Sequence, residues 1–267
     1  MKRCERYFYG EDNSQFGDLY LPQRNQELLS VIVLIHGGYW KQTHTLDSYL
    51  TSSLIPPLLQ KGFAVWNIEY RRMEAEDENT RAAWPAVFTD VASAVDSLRD
   101  LSSKYPINLD RIYSIGHSAG GCLALWAAYR RNIHHCSALY TTSPVRIYKA
   151  MSVAGVISLT HGDDLCQPQQ VKRLIGGTYS EVFHRYCNSD PAAVYDSEIP
   201  TFIYHGGADE TVNPSQVDHF RATSGAQQLC IMMEREADHF SMLPESESFQ
   251  VDHYHSLLHF IDQMIDS

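Results

Sequence analysis

The sequence predicts an α/β fold in which a mostly parallel central sheet is covered by helices on both faces. Two observations favour it. Short apolar runs typical of buried strands, such as residues 31–35, alternate with longer stretches of helical spacing, such as residues 87–101. Glycine-rich and polar motifs directly follow several of these runs. In a parallel sheet, ligands bind at the carboxyl ends of the strands, which is where these motifs would lie. The 267 residues are enough for one large core, so we expect a single domain over residues 1–267.

The predicted elements alternate along the chain. Helical spacing continues over residues 47–60, where Pro56 and Pro57 must interrupt the helix or start a new one. Residues 160–198 form the candidate lid, a segment with room for two or three short helices and none for a second domain. Strands are predicted at residues 16–21, 31–35, 63–69, 112–115, 152–159, 201–205 and 229–233, and helices at 87–101, 122–128 and near the C-terminus.

The motif Gly116-His117-Ser118-Ala119-Gly120 lies between a predicted strand and a predicted helix. A serine flanked by glycines in this context is typical of a nucleophile elbow, a tight turn that lifts the serine hydroxyl out of the sheet. The glycines supply space for the turn, and the helix N-terminus favours the negative charge that develops in acyl transfer. We therefore predict that Ser118 is a nucleophile, with the His117 ring pointing away from it.

A second glycine motif, at residues 36–40, follows the predicted strand 31–35. Glycines let the main chain approach a carbonyl oxygen closely, which a loop that binds an oxyanion requires. We predict that the amides of Gly38, Tyr39 and Ala119 form an oxyanion hole. At the mouth of the same site, Tyr39 and Trp40 are candidate substrate-binding residues.

An acid and then a histidine are expected at the ends of later strands. Asp209 follows the predicted strand 201–205, and Glu210 is its nearest rival as the acid. His239 follows the last predicted strand, in the order that a serine, acid and histidine triad requires. In this role His239 accepts the proton of the nucleophile, and Asp209 fixes the tautomer of the imidazole.

No metal site is expected. His255 and His259 share a helix face, but no third ligand with suitable spacing follows them, and H-E-x-x-H is absent. A surface or interface cluster is the simpler interpretation. His134 and His135 form another pair.

The formal net charge of −11 and the lack of a long basic cluster argue against binding to nucleic acid. No 18-residue apolar run or apolar leader segment occurs, so we expect no membrane association and a cytoplasmic location. Six cysteines without C-x-x-C spacing are expected to be reduced, with Cys122 and Cys230 in apolar core segments. The expected partner is a small-molecule substrate, and a homodimer is left open.

With these motifs in place, the chain resembles an α/β-hydrolase over essentially its whole length. The loop at residues 36–40 is similar to that of the kynurenine formamidase (arylformamidase) group and of related small carboxylesterases. Further landmarks of that group are Tyr70-Arg71-Arg72, Trp84-Pro85-Ala86-Val87, Asp90, Asp190-Pro191 and Asp238-His239-Phe240. The resemblance implies the same triad of Ser118, Asp209 and His239. The segment from Thr160 to Glu198 departs from the typical formamidase.

The sequence therefore predicts a cofactor-free serine hydrolase that cleaves a small aryl formamide, such as N-formylkynurenine, or a short-acyl ester through an acyl-enzyme. A carboxylesterase for acetyl or aromatic esters is the alternative within enzymes. The alternative outside enzymes is a ligand-binding protein built on an inactive hydrolase. Such proteins usually lack a triad residue, whereas this sequence has all three.

Overall fold

The computed structural model describes residues 5–23, 28–73 and 84–267. Within them, eight strands form one sheet in the order β1-β2-β4-β3-β5-β6-β7-β8, antiparallel from β1 to β4 and parallel from β4 to β8. The strands are β1 (Glu5–Phe8), β2 (Phe16–Tyr20), β3 (Leu29–Ile35), β4 (Ala64–Ile68), β5 (Ile107–His117), β6 (Lys149–Val153), β7 (Thr201–Gly206) and β8 (Cys230–Glu234).

Helices connect the parallel strands and cover both faces of the sheet. They are α1 (Ile55–Gln60), α2 (Ala86–Asp96), α3 (Leu98–Ser102), α4 (Ala119–Tyr129), α5 (Gln169–Ile175), α6 (Phe183–Ser189), α7 (Ser215–Ser224) and α8 (Val251–Asp266), with 3₁₀ turns at Leu50–Leu54, Arg130–Asn132 and Leu159–Asp164. Among the described residues, no helix combines the length and the apolar composition needed to span a membrane.

The core lies on the two faces of the sheet, because successive side chains of a strand point to opposite sides. On β3, Val31 and Val33 pack in one cluster with residues of α2 and α4, whereas Ile32 packs in the other with residues of α1 and α8. This two-sided burial explains the continuous apolar sequence of β3. It also confirms the predicted fold class.

Several predicted boundaries were wrong. The helix expected at 87–101 is divided at Ser97, whose hydroxyl donates to the Ala94 carbonyl at 2.8 Å and tightens the turn. The strand expected at 152–159 ends at Val153, because Ala154 has a φ of 47° that no strand continues. Pro56 and Pro57 lie in the first turn of α1, where proline is tolerated.

The five described cysteines are free thiols. Cys122 is buried, as expected, but Cys230 is exposed because β8 is an edge strand. Cys4 lies outside the described residues.

Candidate active site

Ser118 occupies a strained turn between β5 and α4, with φ 56° and ψ −123°. The turn needs both flanking glycines. A Cβ on Gly116 would lie 2.0 Å from the Gly120 carbonyl oxygen, and one on Gly120 would lie 2.2 Å from the carbonyl oxygen of Ile35 on β3. The serine therefore sits at the N-terminus of α4, at the carboxyl edge of the sheet, in the geometry expected of a nucleophile elbow.

The predicted acid and base meet across two loops. The Nδ1 atom of His239, after β8, lies 2.7 Å from Oδ2 of Asp209, after β7. The other carboxylate oxygen, Oδ1, accepts hydrogen bonds from the amides of Thr211 at 2.9 Å and Val212 at 2.8 Å. The rival acid Glu210 is exposed. With both oxygens engaged, Asp209 is fixed in position and directs Nε2 of His239 away from itself.

The predicted oxyanion loop has an unusual backbone. Gly38, Tyr39 and Trp40 all have positive φ, at 100°, 51° and 58°. This conformation is costly for Tyr39 and Trp40 and persists only where the surroundings enforce it. The Lys41 amide closes the turn on the Gly38 carbonyl at 3.0 Å.

Tyr39 links this loop to the acid loop and to the lid segment. Its hydroxyl donates to the Thr211 carbonyl at 2.9 Å and lies 3.4 Å from Sγ of Cys166. Burial raises the pKa of Tyr39 above its usual value, so the hydroxyl keeps its proton. The contacts of Tyr39 with Cys166 and Thr211 were not predicted, since no local sequence pattern indicates contacts between distant segments.

Trp40 differs from its predicted role in contacting substrate. Its side chain has no exposed surface and belongs to the hydrophobic core. The positive φ that turns the loop also directs the indole inward, where its ring lies edge-on to Tyr39 at 6.4 Å between centroids. Tyr39, with 6% of its surface exposed, remains the candidate for substrate contact.

A buried carboxylate contacts both ends of the predicted oxyanion loop's surroundings, at His36 and at Leu46. Oε1 of Glu69, just after β4, lies 2.9 Å from Nε2 of His36, and Oε2 accepts from the Leu46 amide at 3.0 Å. Arg72 forms an ion pair with the same carboxylate. Burial opposes ionisation of Glu69, but the hydrogen bond from His36 and the charge of Arg72 keep its pKa below the usual value. His36 therefore links the start of this loop to the buried carboxylate of Glu69.

Outside this site, the described residues contain one cluster with metal-ligand chemistry. The ligand atoms of His134, His135 and Cys136 all lie within 4.8 Å of one another, and all three residues are exposed. The two histidines were predicted to form a pair, without the cysteine. His255 and His259 are exposed on α8.

Comparison with known proteins agrees with this architecture. The BD-FAE family model matches residues 17–223, which include Ser118 and Asp209. Kynurenine formamidase of Danio rerio is 29% identical over 116 residues, covering 43% of this chain and 35% of that protein. Esterase LipQ of Mycobacterium tuberculosis is 24% identical over 198 residues, covering 72% of this chain and 45% of that protein. The chain thus spans less than half the length of these curated relatives.

Among solved structures, a truncated carbohydrate esterase from gut microbiota superimposes with a TM-score of 0.75 at 21% identity, covering 99% of this chain and 97% of that one. At that identity the likeness concerns the fold. Two observations assign the family and the fold. The serine turn follows β5, a central strand of a mostly parallel sheet, and the family model matches most of the sequence. The chain belongs to the BD-FAE family and has an α/β-hydrolase fold.

Proposed function

We propose that the protein is a serine hydrolase that cleaves short-acyl esters or aryl formamides through an acyl-enzyme. The observation that carries the proposal is the 2.7 Å contact between His239 and Asp209 at the sheet edge where Ser118 is held in a strained turn. Nucleophile, base and acid each follow a separate parallel strand, β5, β8 and β7. This arrangement is the one that nucleophilic acyl transfer requires.

In the proposed reaction, Oγ of Ser118 attacks the substrate carbonyl while Nε2 of His239 accepts the hydroxyl proton. Asp209 stabilises the imidazolium that forms, through its contact with Nδ1. The developing oxyanion accepts hydrogen bonds from the amides of Gly38, Tyr39 and Ala119. His239 then donates its proton to the leaving group, which is an alcohol or an aromatic amine. Water, deprotonated by His239, releases the acyl group in the second half-reaction.

Formyl transfer is supported by the match to a kynurenine formamidase, and the bulk of Tyr39 beside the proposed oxyanion hole favours a small acyl group. An arylformamidase would transfer the formyl group of an N-formylkynurenine-like substrate to Ser118 and release an aromatic amine. The need for space beside the oxyanion hole is then minimal.

A carboxylesterase for acetyl or aromatic esters is the second candidate. The observation that favours it is coverage, because the match to esterase LipQ extends over 72% of this chain, compared with 43% for the formamidase. Both candidates use the same triad and differ in the acyl group and the leaving group.

The deciding experiment compares N-formylkynurenine with the p-nitrophenyl esters of acetate, butyrate and octanoate. A pocket that buries a longer acyl chain gains about 1–3 kcal/mol for each methylene, so octanoate would be preferred if such a pocket existed. We expect acetate to have the highest kcat/KM of the three esters, and N-formylkynurenine to be at least as good a substrate. Preference for octanoate would contradict the small-acyl proposal. Turnover of acetate without turnover of N-formylkynurenine would favour the carboxylesterase.

A further inference from the structure

His117, the residue before the proposed nucleophile, makes two hydrogen bonds that lead away from the elbow. Its Nε2 atom lies 2.8 Å from the main-chain oxygen of His239, and its Nδ1 atom lies 2.9 Å from the hydroxyl of Tyr49. The ring has no exposed surface, and its centroid is 4.8 Å from that of the His239 ring. His117 is therefore packed directly against the proposed base.

The protons of this chain of hydrogen bonds can be assigned. A carbonyl oxygen only accepts hydrogen bonds. Nε2 of His117 must therefore carry a proton and donate a hydrogen bond to the main-chain oxygen of His239. Burial lowers the pKa of His117 well below its usual value, which leaves the ring neutral and Nδ1 unprotonated. The Tyr49 hydroxyl consequently donates to Nδ1.

The Tyr49 hydroxyl also lies against the loop that follows β3. A Cβ on Gly37 would be only 2.5 Å from its oxygen. Because its single proton is used by His117, the Tyr49 hydroxyl has no second proton to donate. Tyr49 is therefore not a donor to the oxyanion.

We propose that Tyr49 and His117 are positioning residues, which hold the main chain of His239, and through it the imidazole, in register with Ser118. This proposal rests on the proposed function. Asp209 fixes the ring of His239 from one side, and His117 fixes its backbone from the other. The hydrogen bonds run in one direction, from the Tyr49 hydroxyl through His117 to the His239 carbonyl.

Such positioning matters because the base must reach the serine proton within a narrow range of distance. A displacement of about 1 Å costs about 100-fold in rate when it misaligns reacting groups. His239 lies on the loop after the edge strand β8, which among the described strands pairs only with β7. The contact with His117 anchors that loop to β5, in the interior of the sheet.

The experiment separates hydrogen bonding from packing with three variants. His117→Gln keeps a donor for the His239 carbonyl and an acceptor for Tyr49, whereas His117→Leu fills similar space without either group. Tyr49→Phe removes only the hydroxyl. Tyr129→Phe is the matched control, because it also removes a buried tyrosine hydroxyl, one that lies 2.5 Å from Oγ1 of Thr201. Tyr129 ends α4, about 16 Å along the helix from Ser118.

Three quantities are measured: kcat and KM with p-nitrophenyl acetate, and the rate constant for phosphonylation of Ser118 by a fluorophosphonate. We expect His117→Leu to lower kcat and the phosphonylation rate by about 10- to 100-fold with little change in KM. His117→Gln retains about tenfold more of both rates than His117→Leu, and Tyr49→Phe falls between wild type and His117→Leu. Tyr129→Phe lowers the melting temperature without changing either rate.

The proposal is overturned if His117→Gln is as slow as His117→Leu, because the ring would then act by packing alone. Wild-type rates in both His117→Leu and Tyr49→Phe overturn it as well. If His117→Leu fails to fold, the comparison of His117→Gln and Tyr49→Phe with wild type still decides. Failure of the proposed function is distinct: Ser118→Ala would then keep wild-type turnover whatever the effects at Tyr49 and His117.

Discussion

Ser118 adopts a backbone conformation that non-glycine residues avoid, at a cost of about 1–3 kcal/mol. The cost is met by packing around the turn, because Gly116 and Gly120 lie so close to neighbouring backbone that the turn has no room to relax. Such strain is concentrated at functional sites. The same reasoning applies to Tyr39 and Trp40, whose positive φ angles shape the loop beside the serine.

Replacing the proposed nucleophile separates chemistry from stability. We expect Ser118→Ala to lower kcat/KM by several orders of magnitude, because the acyl-enzyme cannot form. The fold should survive, since the hydroxyl contributes little to packing. Thermal melts and a p-nitrophenyl acetate assay test both statements, and a fluorophosphonate should label Ser118 and no other serine. Wild-type turnover in the purified variant would refute the mechanism.

The acid and base should behave as one unit. Asp209→Asn disturbs the tautomer of His239 and should cost about 10⁴-fold in kcat, with His239→Ala at least as damaging. The double variant should be no slower than the worse single variant, because both changes remove the same function. A double variant whose loss equals the product of the single losses would show that the residues act independently. Their free energies of unfolding, from urea titration, serve as the control.

Candidate site residues could be selected where chain order and strand ends limit the choice. Ser118, Asp209 and His239 were selected in this way, and the structure places Asp209 against His239. Contacts between distant segments could not be predicted. The hydrogen bond from His117 to the His239 main chain spans 122 positions, and Tyr49 lay in a stretch predicted only as helical.

At the scale of elements, strong periodicity predicted the existence of strands and helices better than their ends. β3, β4 and α4 were predicted because continuous apolar sequence marks elements buried on all sides. β1 was missed, as a four-residue edge strand of partly exposed residues carries no periodic signal. The ends of α2 and β6 depend on the conformations of Ser97 and Ala154, which are set by local hydrogen bonds and tertiary packing rather than propensity.

The contact of α4 with β3 can be tested through Gly120. A Cβ there would meet the main-chain oxygens of Ile35 and His36 at 2.2 and 2.6 Å, and neither atom can move independently of β3. We expect Gly120→Ala to lower the free energy of unfolding by about 3 kcal/mol or more. Activity should fall as well, since the shift displaces the loop proposed to bind the oxyanion.

Gly225→Ala is the control for Gly120→Ala. Gly225 has a φ of 65° and no atom within 4 Å of an added Cβ, so its cost is conformational alone, about 1–2 kcal/mol. Urea denaturation measures both variants. Equal destabilisation would show that the close approach of α4 to β3 is relieved by small adjustments.

At the scale of the whole molecule, buried histidines are concentrated at the carboxyl edge of the sheet. Each follows or ends a different parallel strand and has at most 3% of its surface exposed: His36, His117, His205 and His239. The parallel topology brings these strand ends together at one edge. Two of these histidines, His117 and His205, have lowered pKa values and therefore link this region to the pH dependence of stability.

Stability should decrease as the pH falls below about 6.5, the usual histidine pKa. Burial lowers the pKa of both His117 and His205 in the folded protein. Between the folded and unfolded pKa values, the unfolded chain binds protons that the native state does not, so the free energy of unfolding falls with decreasing pH. Each histidine adds up to about 1.4 kcal/mol per pH unit to the slope of the free energy of unfolding against pH. Above the unfolded pKa, both states are unprotonated and the slope from that histidine is zero.

His117→Gln isolates one of these contributions, because glutamine does not titrate. Other groups, including buried Asp190 with its raised pKa and opposite slope, remain in both proteins and cancel from the difference. We expect urea unfolding between about pH 7.5 and 5.5 to show a shallower decline for His117→Gln than for wild type, by up to about 1.4 kcal/mol per pH unit. Parallel curves would mean that His117 binds its proton equally in the folded and unfolded states. Its ring would then be able to turn toward solvent, and its bond to the His239 carbonyl would be too weak to hold the base in place.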